Sequence, residues 1–269
     1  MGLMNKAPLS LKRVQQWIGR QAYYHASVGS TNEEAKRVAA AGCPAGTLVI
    51  ADEQTAGKGR LGRRWVAPPN TSLLMSLVFR PALAPGQVHR LTMLCSLAAA
   101  QAIKAETGLL VRLKWPNDLV VPQYPLSTIR YRKLAGVLTE ASFSGEKLLF
   151  VVVGMGINVN VDPAELESLA AMRTPVTSLS AELGRPVERE TLLTAILQQI
   201  ESRYPQAISG QIRTDWAGRL VTLGQKVTVT TAQGQLWGLA EGVNQDGALL
   251  LRDLARDLHV IVAGDVSLR

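Results

Sequence analysis

The chain has 269 residues, of which 47% are hydrophobic, and it carries a net charge of +8, two cysteines and three histidines. That supports one large domain, or one plus a small satellite, and two cysteines make no disulfide framework, so a reducing, cytosolic setting is expected. No run approaches ~18 uninterrupted apolar residues, Met1 to Gln16 lacks the apolar core of a signal peptide, and His25, His89 and His259 do not cluster with Cys or carboxylates at metal-ligand spacing, so no structural zinc site is expected.

The elements follow in order. Tyr23-Tyr24-His25 reads as a short strand leading to Gly29-Ser30-Thr31-Asn32-Glu33, followed by an alanine-rich helix to about Ala41, with Ser30 and Glu33 at capping-box spacing. Gly42 and Pro44 stop it. Thr47 to Ala51 is strand-like, Pro68-Pro69-Asn70 a turn, and Ser72 to Phe79 apolar and β-prone. A long helix from about Gln87 to Glu106 places Leu91, Leu94, Cys95 and Ala98 at helical spacing, and Gly108 ends it. Val111 to Lys114, Leu119 to Val121, Leu134 to Ser142 and Lys147 to Val153 are strands. Pro122 to Arg132 reads as a loop, either a surface hairpin or a contact for a partner. Pro163 to Tyr204 is helical with breaks near Pro175 and Pro186, Pro205 and Gly210 punctuate it, and Trp216 packs the last helix onto the core. From about residue 220, four short strands separated by glycines (Val227 to Thr231, Leu236 to Glu241, Ala248 to Leu251, Val260 to Ala263) predict a small antiparallel barrel. The expected domains are residues 1–219 and 220–269.

Gly57 to Trp65, Gly-Lys-Gly-Arg-Leu-Gly-Arg-Arg-Trp, holds three glycines and four cations in nine positions. Glycine lets a backbone come close to a ligand, and arginine and lysine hold anions. Such a loop suits a phosphorylated or carboxylated ligand and should be mobile when empty. It is neither a P-loop nor a dinucleotide fingerprint. Four more segments carry chemistry: Ser30-Thr31-Asn32; Lys114-Trp115-Pro116-Asn117-Asp118; Lys133 to Leu138, with a cation at the mouth of a buried strand; and Gly154-Met155-Gly156-Ile157-Asn158. Each has an ordinary structural reading. Ser30 caps its helix, Trp115-Pro116 is a packed turn, Lys133 is a solvated strand end, and the two glycines mark a bulge.

Taken together and in this order, the five segments resemble the catalytic domain of biotin–protein ligase (biotin–[acetyl-CoA-carboxylase] ligase), and Gly264 to Arg269 resembles the end of that family's SH3-like barrel. The resemblance runs from about Tyr24 to Arg269. It implies an α+β fold: a mixed, mainly antiparallel sheet flanked by helices, as in class II synthetases, with the small barrel appended. It also implies two half-reactions. Biotin and Mg-ATP give biotinyl-5′-adenylate and pyrophosphate, and a lysine of a biotin carboxyl carrier protein of acetyl-CoA carboxylase then takes the biotin and releases AMP.

By the same resemblance, Ser30, Thr31, Asn32 and Gln54 belong to the biotin site, with close backbone approach at Gly57, Gly136 and Gly156. Lys58 and Arg60 belong to a loop closing over biotin and the phosphates, and Lys133 to the carboxylate–phosphate junction. Arg63, Trp65, Asn117 and Asn158 belong to the ATP and adenylate side, and Asp118 orients or deprotonates the incoming lysine. No magnesium ligand is assigned. A carboxylate approaching a polyphosphate at ~4 Å costs about 4 kcal/mol per like-charge contact at an effective dielectric near 20, which cations must offset.

Lys58 and Leu61 stand where arginine is common in the family. Only 29 residues precede Ser30, too few for the helix-turn-helix domain that some members of the family carry plus a linker, so the resemblance implies a ligase without operator binding; a monomer or homodimer that binds no membrane is expected. Two other readings compete: a lipoate–protein ligase, and a basic nucleic-acid-binding protein. The second needs aromatics interleaved with its cations, and aromatics are 5% of the chain.

Overall fold

A computed structural model describes residues 18–123, 130–169 and 175–268. The N-terminal segment Met1 to Gln16, residues 124–129 of the expected Pro122 to Arg132 loop, and Arg269 lie outside the described residues. The element order is β1 (Ala22–His25), α1 (Thr31–Ala40), β2 (Leu48–Ala51), β3 (Ser72–Phe79), α2 (His89–Thr107), β4 (Arg112–Lys114), β5 (Asp118–Gln123), β6 (Arg130–Ser144), β7 (Lys147–Asn158), α3 (Pro163–Leu169), α4 (Leu179–Leu183), α5 (Arg189–Ser209), α6 (Ile212–Ala217), then β8 (Lys226–Thr231), β9 (Gly234–Val243), β10 (Leu249–Arg252), β11 (Leu258–Ile261) and β12 (Asp265–Leu268). The class is α+β. A seven-stranded sheet, β1-β2-β3-β7-β6-β5-β4, is antiparallel except where β1 pairs with β2, and a five-stranded antiparallel sheet, β11-β10-β9-β8-β12, follows.

The period of two along each strand assigns the two faces of the large sheet. On β3 and β7, Leu73, Met75, Leu77 and Phe79, with Val151, Val153, Met155 and Ile157, join the main core with α2 and α5. Val78, Phe150 and Val152 point the other way and pack with Val49 on Ala35, Val38 and Ala39 of α1. Both faces of β3 are covered, so it reads as an unbroken buried run. Beyond the end of α1, the second face carries Ser76, Gly154 and Gly156 and opens into the site.

Several expectations need correction. Ser30 occupies the N-cap of α1, but its hydroxyl makes no capping bond; Glu33 instead pairs with Lys36 and Lys58. β7 runs unbroken through Gly154 and Gly156 in register with β3, so those glycines mark no bulge. β5 and β6 extend as a hairpin, as one of the two readings of Pro122 to Arg132 has it, pairing Pro122 with Tyr131 and Gln123 with Arg130; Lys133 therefore lies inside a strand, not at its mouth. Pro205 lies within α5, which ends at Gly210 in the left-handed conformation. The C-terminal unit has five strands, the fifth being β12. Trp216 is buried as expected and donates from Nε1 to Ser96 Oγ at 3.2 Å.

The small sheet docks against β4. Leu113 N donates to Arg219 O at 3.0 Å, Val221 N donates to Leu113 O at 2.8 Å, and Trp115 Nε1 donates to Gly247 O at 2.9 Å. Trp115 is thus a packed turn residue that spans the two units.

Candidate active site

Directly paired residues on neighbouring strands share a face. The register therefore sets one row across five strands of the large sheet: Leu74, Gly156, Gly136, Asp118, Lys114. Two glycines form a bare floor in the middle of the row, followed by a carboxylate and then an ammonium at the sheet edge. A β-bulge adds Lys133 to this face. Leu119 pairs with Ala135 but Val120 pairs with Lys133, leaving Leu134 as the extra residue. Leu134 and Ala135 both enter the main core, whereas Lys133 joins Asp118 on the open face. Lys133 Nζ lies 2.7 Å from Asp118 Oδ1.

A cavity of about 1260 Å³ lies over this row. Ser30, Thr31, Asn32 and Gln54 close one end, the 58–66 loop covers it, Lys114, Tyr131 and Lys133 line the other end, and Thr230 and Asp265 to Ser267 approach from the small sheet. Arg60 and Lys133 share this one cavity.

At the first end, Gln54 Oε1 accepts from Thr31 N at 2.7 Å and from Thr31 Oγ1 at 3.0 Å. The Ser76 hydroxyl lies 2.8 Å from Thr31 Oγ1 and 2.6 Å from Asn32 Oδ1, and Asn32 Nδ2 donates to Glu140 Oε2 at 2.7 Å. Both ends of the Asn32 amide are thus held by protein partners, and a Cβ at Gly154 would lie 2.8 Å from Asn32 Cγ. Asn32 therefore frames this end of the cavity.

The covering loop is tied on both sides. Lys58 pairs with Glu33 on α1. Arg60 Nη1 donates to Gly264 O at 3.1 Å and reaches Asn117 Oδ1 at 3.5 Å, and Arg63 pairs with Asp265. The expectation of a mobile loop meets one anchored to α1 and to the small sheet. Gly57 is needed within the loop itself, because a Cβ there would run into the Trp65 carbonyl, and Trp65 N donates back to Gly57 O at 2.9 Å. The Trp65 indole covers the glycine floor: a Cβ at Gly156 would lie 2.7 Å from Trp65 Cζ2 and Nε1, and one at Gly136 would lie 3.2 Å from Cζ3. The group that approaches Gly57, Gly136 and Gly156 closely is therefore Trp65. Its Nε1 is buried without a partner.

Asn117 Nδ2 donates to Val137 O at 2.8 Å, locking the turn to β6. Asn158 is 2% exposed and does not line the cavity; Nδ2 donates to Thr177 O at 3.0 Å and Oδ1 is buried without a partner. Burial lowers the pKa of the Arg60 guanidinium and of the Lys114 ammonium.

A sequence profile of the biotin/lipoate A/B protein ligase family matches residues 24–158, and one of the biotin protein ligase C-terminal domain matches residues 222–269. The chain belongs to the biotin/lipoate A/B protein ligase family. It is 30% identical over 99% of its length to the bifunctional ligase/repressor BirA of Bacillus subtilis, covering 80% of that protein. It is 34% identical over 90% of its length to a biotin–[acetyl-CoA-carboxylase] ligase of Paracoccus denitrificans, covering 98% of it. A solved structure of the Aquifex aeolicus biotin protein ligase in complex with biotin and ATP superposes with a TM-score of 0.71 at 26% identity, covering 93% of this chain and 99% of that one.

Within this family fold, five residues not assigned from the sequence contribute to the site: Ser76, Glu140, Lys114, Tyr131 and Asp265. Ser76 had a signal, being polar inside a buried and mostly apolar strand; Glu140 had none, because its strand carries several other polar residues. Lys114 and Asp265 lay inside segments already singled out. Tyr131 had none, because it fell in a stretch read as loop.

Proposed function

We propose that the chain is a biotin–protein ligase, forming biotinyl-5′-AMP from biotin and ATP and transferring biotin to a lysine of a biotin carboxyl carrier protein. The observation that carries this reading is the bulge at Leu134. It turns Lys133 onto the glycine-floored face beside Asp118, under the arginine-bearing loop, in one cavity with the polar Thr31–Gln54 end. Biotin is apolar apart from its carboxylate and a ureido ring that both donates and accepts hydrogen bonds. Ser30, Thr31 and Gln54 offer both kinds of group to the ureido ring, with Asn32 positioning them. The carboxylate then points toward Lys133.

In the first half-reaction a carboxylate oxygen bonds to the α-phosphorus and pyrophosphate leaves. The carboxylate is ionised at neutral pH, so no base is required. Lys58, Arg60, Arg63 and Lys133 oppose the charge that develops there. When Lys133 moves to the junction, it releases Asp118. In the second half-reaction a lysine nitrogen bonds to the acyl carbon, AMP leaves, and the nitrogen's proton passes to Asp118. Trp65 covers the adenylate and excludes water; Asn158, buried outside the cavity lining, is left without the adenine contact that the resemblance implies.

Magnesium neutralises phosphate charge when bound. Asp118 and Asp265 are the two carboxylates lining the cavity, and an ion held by one or two carboxylates with phosphate oxygens fits that set. Among the described residues no cluster of three or more His, Cys, Asp or Glu could hold a metal without the nucleotide.

Pyrophosphate exchange into ATP, with biotin or lipoate as the acid, tests the reading. Biotin-dependent exchange is expected; exchange with lipoate alone would assign the chain to the other branch of the family. Calorimetry adds a second check, since biotin should bind with and without ATP.

A further inference from the structure

Lys114 is a buried cation of the cavity lining that the reaction described above leaves without a use. It ends β4 at 9% exposure and lines the cavity. Its Nζ lies 5.0 Å from the centre of the Tyr131 ring. The carboxylate directly across the strands, Asp118, is taken by Lys133 at 2.7 Å. Among the described residues, no ion pair or hydrogen bond engages the Lys114 ammonium. A desolvated ammonium without an anion is costly, and a site that tolerates one is built to receive the anion from outside.

The row across the sheet says which anion. Gly156 and Gly136, under the Trp65 indole, come first, then Asp118 with Lys133, then Lys114. With strands ~4.8 Å apart, Lys114 lies about 10 Å along the row from Gly136. A ligand lying across the strands with its reacting phosphorus at Lys133 extends its leaving group to the sheet edge. The geometry points to Lys114 as the residue that binds the β- and γ-phosphates of the nucleoside triphosphate and holds pyrophosphate as it departs. This rests on the ligase reading. It deepens it by giving two lysines separate tasks: Lys133 meets the bond being made, and Lys114 meets the group being lost. Tyr131, stacked against the ammonium, fixes its direction.

The experiment uses the full chain with Lys114→Met, which keeps the length of the stem, and Lys114→Arg. Biotin-dependent pyrophosphate exchange is measured while ATP, pyrophosphate and biotin are varied in turn, and transfer to a carrier domain is measured from preformed biotinyl-5′-AMP. Loss of a charge-assisted contact predicts that Lys114→Met raises KM for ATP and for pyrophosphate by about tenfold or more. KM for biotin and the transfer rate from preformed adenylate should stay within about threefold, because pyrophosphate has left before transfer. Lys114→Arg should recover part of the pyrophosphate affinity. Unchanged KM values for ATP and pyrophosphate overturn the inference, as does a transfer rate that falls as far as adenylation.

Should Lys114→Met fail to fold, pyrophosphate titration of the reductively ¹³C-methylated wild-type chain still decides. The methyl signal absent from Lys114→Arg must move with pyrophosphate and stay still with biotin alone. Absence of biotin-dependent exchange in the wild type would instead sink the ligase reading, a distinguishable failure.

Discussion

Adding one methyl group at Gly156 tests how the site is built. A Cβ there would lie 2.7 Å from Trp65 Cζ2 and Nε1, whereas carbon atoms rest about 3.5–4.0 Å apart. The sheet cannot yield, because Gly156 is fixed in register between Leu74 and Gly136. The indole must therefore retreat by about 1 Å, and overpacking of this kind costs about 1–3 kcal/mol. If that cost falls on the state in which the 58–66 loop is closed, the population of that state drops about 5- to 150-fold. Gly156→Ala is then expected to lower kcat/KM for ATP in pyrophosphate exchange by a factor in this range. Biotin binding by calorimetry should change little, since Thr31 and Gln54 lie elsewhere in the cavity. Gly86→Ala serves as control, having no neighbour within 4 Å. Trp65→Ala in the Gly156→Ala background should restore the melting temperature by removing the clash, without restoring adenylation. The reasoning fails if Gly156→Ala exchanges at the wild-type rate, or if the double variant is as unstable as Gly156→Ala alone.

Lys133→Ala should slow adenylation by about 10²–10³, the scale of losing one oriented donor; near-normal pyrophosphate exchange would refute its place at the junction. Arg60→Gly removes the bond from Arg60 Nη1 to Gly264 O and should let biotinyl-5′-AMP escape, so that a bystander protein becomes biotinylated on exposed lysines. Strict carrier specificity in that variant would deny the loop a sealing role. His89 is half-buried against Trp216, their ring centres 5.6 Å apart, with Nε2 shielded from solvent, and desolvation of the ring, with a smaller contribution from the Arg60 charge, pushes its pKa down from 6.5 to about 4. The unfolded chain therefore takes up this proton first as pH falls. Stability is full above pH 6.5 and declines toward pH 4, by about 3 kcal/mol in all, then levels off. His89→Phe should flatten that limb in urea melts at pH 7 and pH 5; an unchanged pH dependence would show that other groups set it.

The sequence alone determined the parts whose signal is local. The β3 run from Ser72 to Phe79 is apolar at all but its two serines because both of its faces are covered, and it matches the strand residue for residue. The α2 helix and its left-handed Gly108 cap follow from helical spacing and a glycine stop. The change of texture near residue 220 marks a second, all-β unit. The five chemical segments were legible because each pairs a backbone demand with charged or amide groups.

The tertiary structure decided what depends on register. No reading of Lys133 to Gly136 places those two residues on one face, since an odd separation along a regular strand puts them on opposite faces. Only the pairing of β6 with β5, with Leu134 squeezed out, brings the ammonium round to Asp118. Likewise, Gly57, Gly136 and Gly156 were legible as positions of close approach, but what approaches is Trp65, brought over them by the fold of its loop. The anchoring of Arg60 and Arg63 by Gly264 and Asp265 joins residues some 200 positions apart. Local propensity carries no information about such contacts, because a side chain's partner across a sheet or a cavity is set by how strands align and not by its neighbours in the chain.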